Sequence, residues 1–146
     1  MLYINYLDKL QTCPFCAKKG RVFIKTPLVY LSYAKAPYHP HHLLVIPIRH
    51  VESFFELKSE EKKDIEILLA KAAKILKKLK YINFTILVRE GTSINKSIKH
   101  LHYHIIPNDR IGDLDHKGEK RKVLSPKEIK LLNTEISSII KQSNLV

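Results

Sequence analysis

The sequence predicts an α+β fold: a five-stranded, mainly antiparallel sheet with one long central helix and a second helix at the C-terminus. Three observations lead there. Five segments rich in β-branched and aromatic residues are bounded by turn formers; one long window has helical periodicity; and a capped helical window closes the chain. Sequential strands interrupted by a single long helix favour antiparallel neighbours with helices gathered on one side.

The strand segments are Arg21 to Lys25, Leu28 to Ala34, His42 to Ile48, Asn83 to Arg89 and Lys99 to Pro107. Pro37 and Pro40 mark the connection into the third, Glu90-Gly91-Thr92-Ser93 a turn after the fourth, and Asn108 to Lys122 a polar loop after the fifth. The long helix runs from about Ser59 to Lys80, with Ile65, Leu68, Leu69, Ala72, Leu76 and Leu79 at spacings of three and four and most lysines on the outer side. The second helix, about 126–141, opens on Ser125-Pro126-Lys127-Glu128, where serine caps, proline suits the first helical position and Glu128 completes a capping box.

At 146 residues the chain is the size of one domain, expected to span 1–146. A hydrophobic content of 45% against 27% charged residues is globular composition. No window approaches the roughly 18–20 apolar residues of a membrane span, and Met1 to Lys9 lacks a basic start followed by an apolar stretch, so a cytoplasmic protein is expected. A formal charge of +12 biases the surface toward anionic partners such as nucleotides, polyphosphates or nucleic acid without choosing among them.

The run His100-Leu101-His102-Tyr103-His104-Ile105-Ile106 alternates imidazoles with apolar side chains. On a strand this places the three histidines on one face and Leu101, Tyr103 and Ile105 on the other. Imidazole works near neutral pH as base, nucleophile or metal ligand, so a metal site, a nucleophilic or acid–base histidine, and a surface cluster are all compatible with the segment. Three donors spread along a strand do not surround one tetrahedral ion, although two can. Just upstream, Asn95, Lys96 and Ser97 offer an amide, an ammonium and a hydroxyl suited to phosphate oxygens, or simply a polar loop entering a strand. The only cysteines, Cys13 and Cys16, form a CxxC pair that reads as a metal knuckle or a redox pair.

Taken together, these segments resemble the histidine triad family of nucleotide hydrolases and transferases. The resemblance rests on all seven positions from His100 to Ile106, on Pro37-Tyr38-His39-Pro40-His41-His42-Leu43-Leu44-Val45-Ile46-Pro47 with Arg49-His50, on Arg89-Glu90-Gly91, and on Ser97 three residues before His100. It covers roughly Cys13 to Asp113. It implies a HIT-like fold, a homodimer joined through sheet and helix, and a covalent mechanism in which His102 attacks the α-phosphate of an adenosine-type nucleotide. In that mechanism a backbone carbonyl holds the other ring nitrogen of His102, His104 contacts phosphate oxygens, Ser97 hydrogen-bonds the leaving side, and His42 supports the active strand. His100 belongs to the same catalytic set.

The CxxC pair places the chain near a zinc-bearing branch, which implies structural zinc held by Cys13, Cys16, His50 and His100. Ala34 stands where many members have an aspartate or asparagine for the ribose hydroxyls. Arg89 replaces a common asparagine, and Asn95-Lys96 a common Gly-Gln pair, adding positive charge around the phosphates. The expected preference is therefore for a longer or more anionic leaving group, such as a dinucleoside polyphosphate, over a nucleoside phosphoramidate. Removal of adenylate from nucleic acid ends, and a zinc-stabilised module that binds nucleotides without turnover, are the competing readings. Nucleic acid is the less favoured partner because no extra binding segment accompanies the domain.

Overall fold

A computed structural model describes residues 1–18, 20–92, 96–108 and 121–145. The elements run α1 (Tyr3–Leu7), β1 (Ile24–Lys25), β2 (Val29–Tyr33), β3 (Leu43–Pro47), a 3-10 turn (Phe54–Glu56), α2 (Ser59–Lys78), β4 (Phe84–Val88), β5 (Tyr103–Pro107) and α3 (Pro126–Gln142). The strands form one five-stranded sheet in the order β1-β2-β3-β5-β4, with every neighbouring pair antiparallel. The α+β class and the strand order of a central helix followed by two further strands agree with the sequence expectation.

The helix-facing side of the sheet carries the larger core. Val29, Leu31, Tyr33, Leu43, Val45, Leu101 and Ile105 pack there against Ile65, Leu68, Ala72, Ile75 and Leu76 of α2 and Leu132, Ile136 and Ile140 of α3. These α2 positions recur at three and four residues, the spacing that puts one helical stripe onto the sheet. Ser125 Oγ accepts from the Glu128 amide, and the Glu128 carboxylate accepts from the Ser125 amide, so the predicted capping box starts α3. Arg49 donates to Glu61 at 2.7 Å and Lys58 N–H to the same carboxylate at 2.9 Å, which fastens the start of α2 to the segment after β3.

Three boundaries differ from expectation. The first strand is reduced to Ile24–Lys25, and α2 stops at Lys78, with Lys80 turning the chain at a φ of 70°. The last strand begins at Tyr103 rather than Lys99, so only His104 of the three alternating histidines lies within it. The preceding residues are held by other bonds: Leu101 N–H donates to Val51 O at 2.7 Å, and the rings of His100 and His102 bond to backbone carbonyls.

The sheet is also covered on its second side. Tyr30, Ala34, Leu44 and Ile46 pack there with Phe15 and Ile98, and every residue of β2 and β3 is buried. That cover comes from the segment around the cysteines and from α1, which is anchored by Tyr3 N–H to Arg121 O and Val123 N–H to Met1 O, both at 3.0 Å. The sequence reading left the second face open for chemistry; in the structure the histidines work from inside a covered cleft.

β4 is an outer strand of the sheet, and Phe84 and Ile86 on it are each 43% exposed while neighbouring Ile82 is 90% exposed. Among the described residues no helix is long and apolar enough to cross a membrane.

Candidate active site and metal centre

His42 immediately precedes β3, and β3 pairs with β5 in a register that sets Leu44 opposite His104. This register brings together two histidines separated by 62 residues: His42 Nε2 lies 2.9 Å from His104 Nδ1. The tautomers follow from the backbone. Tyr38 N–H can only donate, so His42 Nδ1 accepts at 3.2 Å and the ring proton sits on Nε2. That proton is donated to His104 Nδ1, which leaves His104 with its own hydrogen on Nε2.

His102 is set the opposite way. Its Nδ1 donates to the backbone carbonyl of His100 at 2.8 Å, so Nε2 keeps its lone pair. The Phe15 ring packs edge-on against it, with centroids 4.9 Å apart. Burial drives His102 down to about 4 and His42 to about 3, and burial with the neighbouring imidazoles holds His104 well below the ordinary histidine value. At neutral pH the cleft thus contains one imidazole lone pair and one imidazole N–H, both without charge.

His42, His102, His104 and Ser97 line a single cleft together with Phe15 and Ala34. Its free volume is about 50 Å³, because Tyr3 and Tyr6 of α1 and Arg121 reach into it. Tyr3 Oη is 2.8 Å from Ser97 Oγ, and the Arg121 guanidinium lies 4.7 Å from the Tyr3 ring and 4.2 Å from the Tyr38 ring.

Among the residues read from the sequence as phosphate ligands, Ser97 lines the cleft whereas Lys96 and Arg89 do not. Lys96 is 6% exposed and its ammonium donates to the carbonyl of Glu52. Arg89 is half-buried and close enough to His104 to oppose its protonation. Asn95 lies outside the described residues. The neighbouring Glu90 has a structural part, accepting from Ser53 Oγ at 2.7 Å and Phe54 N–H at 2.8 Å. Tyr3, Tyr6, Arg21 and Arg121 had no signal in the sequence reading, since a tyrosine pair at i, i+3 and isolated arginines carry no motif.

His100 turns away from the other two. Its Nε2 donates to Pro47 O at 2.9 Å, and its Nδ1 faces Cys13 Sγ at 3.4 Å and Cys16 Sγ at 3.6 Å. His50 Nδ1 is 3.3 Å from Cys16 Sγ while its Nε2 donates to the Glu52 carboxylate at 3.3 Å. The ligand atoms of Cys13, Cys16, His50 and His100 all lie within 4.8 Å of one another, so this group can hold a metal ion. Bond lengths of about 2.3 Å to sulfur and 2.0 Å to nitrogen at tetrahedral angles demand S···N separations of roughly 3.5 Å, which the observed distances match. Both imidazoles present the same nitrogen to the cluster, and both have the other bound to an oxygen that fixes their tautomer.

Residues 17–111 match the HIT domain. Adenosine 5'-monophosphoramidase hnt1 of Schizosaccharomyces pombe is 37% identical over 137 residues, 89% of this chain and 99% of that protein. The bifunctional bis(5'-adenosyl)-triphosphatase/adenylylsulfatase FHIT of Arabidopsis thaliana is 29% identical over 119 residues, 81% of this chain and 66% of that protein. Both relatives are by name hydrolases of nucleotides. The crystal structure of Plasmodium falciparum diadenosine triphosphate hydrolase in complex with Cyclomarin A superposes with a TM-score of 0.71 at 26% identity, covering 85% of this chain and 78% of that one. The antiparallel sheet and its helices are those of HIT proteins, and the chain belongs to the HIT family.

Proposed function

We propose that this chain is a nucleotidyl hydrolase or transferase that opens the α-phosphate of an adenosine-type nucleotide through a covalent intermediate on His102. The observation that carries the reading is the bond from His102 Nδ1 to the His100 carbonyl, which leaves the Nε2 lone pair on a ring lining the cleft. In the first step Nε2 forms a bond to phosphorus as the bond to the leaving group breaks, and the Nδ1 hydrogen, shared with the carbonyl, supports the positive charge that develops on the ring. The Nε2 hydrogen of His104, fixed by the bond from His42, serves a phosphate oxygen or the departing atom; a preorganised donor of this kind is worth about 3 kcal/mol. Water or another acceptor then forms the new bond to phosphorus as the P–N bond breaks, and His102 recovers its lone pair.

Arg89 beside His104 supports a preference for an anionic leaving group such as a dinucleoside polyphosphate, whereas the Lys96 ammonium is committed to the Glu52 carbonyl. A volume of about 50 Å³ is far below the roughly 300 Å³ or more of small-molecule sites, so nucleotide entry moves Tyr3 off Ser97. Zinc suits the closed donor set of Cys13, Cys16, His50 and His100 as a structural ion. Bound there it would tie the cysteine segment to the residue whose carbonyl orients His102, and it would supply no chemistry to the nucleotide. A second copy of the chain is proposed to pair at the β4 edge around the exposed Ile82, Phe84 and Ile86.

Incubation with a radiolabelled dinucleoside polyphosphate or nucleoside phosphoramidate, quenched by denaturant at alkaline pH, is expected to trap acid-labile label on the wild-type protein and none on His102→Ala. Folded protein that binds nucleotide yet shows neither adduct nor turnover would instead be a binding module. Cys13→Ser is expected to lose the zinc that metal analysis finds at about one equivalent per wild-type chain, and to lower Tm by roughly 5 °C or more. Ile86→Asp should convert a dimer into a monomer in sedimentation equilibrium; an unchanged mass discards the β4 interface.

The pH dependence has a defined sign. Unfolded histidine titrates near 6.5, while burial, and after it the Arg121 charge, pushes folded His42 to about 3. The unfolded chain binds more protons between those values, so stability from this group is complete above pH 6.5. It is lost as pH falls toward 3, by up to about 1.4 kcal/mol per pH unit. Urea unfolding between pH 4 and 7 should show a shallower slope for His42→Gln than for wild type.

A further inference from the structure

The cleft holds positive charge that the phosphate chemistry at His102 does not use. Arg21 is 7% exposed and lines the cleft, its guanidinium 5.0 Å from the centre of the Phe15 ring and 5.3 Å from that of Tyr33. Its hydrogen bonds among the described residues go to neutral oxygens: Ser32 Oγ at 3.3 Å, Pro14 O at 3.2 Å and Tyr33 O at 3.4 Å. Lys35 and Arg121 line the same cleft, and they too bond to backbone carbonyls, Leu124 O at 3.0 Å and Ala36 O at 3.3 Å. Among the described residues that line it there is no aspartate or glutamate.

Three cations with no carboxylate among the described lining residues are unfavourable in a covered site, because each loses water and repels the others. Burial, and after it Arg21, pushes the Lys35 ammonium below its usual range. An anion entering the cleft relieves both costs, and arginine forks match phosphate geometry. On the reading of His102 as the nucleophile, the reacting phosphate meets His102, His104 and Ser97, which leaves these cations for a second anion. Phe15 touches both His102 and Arg21, at 4.9 and 5.0 Å, so the guanidinium stands within one aromatic ring of the nucleophile. Ala34 lines this cleft at the position where the family resemblance expects a ribose-holding aspartate or asparagine. With alanine there, no carboxylate opposes a phosphate on the ribose.

We infer that the nucleoside end of the cleft, through Arg21, Lys35 and Arg121, selects a nucleotide that carries a 2'- or 3'-phosphate on its ribose in addition to the reacting 5'-phosphate. The inference rests on the reading of His102 as the residue that meets the 5'-phosphate. It makes this protein a processor of ribose-phosphorylated nucleotides, and it assigns Arg21, Lys35 and Arg121 to substrate specificity.

Isothermal titration of the full chain with AMP, adenosine 3',5'-bisphosphate and adenosine 2',5'-bisphosphate tests it. One bisphosphate is expected to bind at least about tenfold tighter than AMP, with a gap that narrows as salt rises. The gap should close in Arg121→Gln and in Lys35→Met. Arg21→Gln is the third variant; if it fails to fold by circular dichroism, the other two carry the test. Equal or weaker binding of both bisphosphates relative to AMP overturns the inference and leaves the His102 chemistry standing. A gap that survives Arg121→Gln and Lys35→Met overturns the assignment to these cations. No binding by any of the three, together with no adduct on His102, removes both the inference and the reading beneath it.

Discussion

The site depends on one residue that faces two ways. His100 is fully buried, with its ring fixed between the Pro47 carbonyl and the two thiols, and its own carbonyl accepts the Nδ1 hydrogen of His102. The ring of His100 therefore locates the backbone, and the backbone sets the tautomer of the neighbouring imidazole. Leu101 N–H, bonded to Val51 O at 2.7 Å, secures the same peptide from its other side. A ring flip would exchange donor for acceptor, so the bond to the His100 carbonyl fixes which nitrogen of His102 keeps its lone pair.

Neutrality is the second condition. Burial keeps His42, His102 and His104 unprotonated at physiological pH, so the hydrogen-bond chain from Tyr38 N–H through His42 to His104 has a single direction. Charge enters the cleft from Arg21, Lys35 and Arg121 instead. The neutral imidazoles of His102 and His104 and the cations thus sit on different elements: β5 and the residues before it for the imidazoles, and the cysteine-adjacent segment, the turn after β2 and the segment before α3 for Arg21, Lys35 and Arg121.

The helical stripe of α2, the capping box of α3 and the alternation around His104 were legible in the sequence because each is a local pattern of period 3.6 or 2 that the core then obeys. The position of Lys96 was not legible. Its neighbours Asn95 and Ser97 suggest a phosphate loop, yet the ammonium reaches a carbonyl 44 residues away in sequence. The family resemblance implied only that His42 supports the active strand; its bond to His104, and the tautomers that follow, came with the register of β3 against β5.

The sequence alone determined the α+β class and the mainly antiparallel sheet interrupted by a long helix, and it singled out the histidines and cysteines as candidates for chemistry, since spacing and residue type express these directly. Tertiary structure decided which imidazole nitrogen carries a proton, that α1 and Arg121 close over the cleft, and that three cations converge there without a carboxylate among the described residues. The closure of the cleft arises from contacts between distant segments, such as Tyr3 on Ser97, 94 residues apart, and Arg121 on Ala36, 85 apart, and no local periodicity encodes a contact of that range.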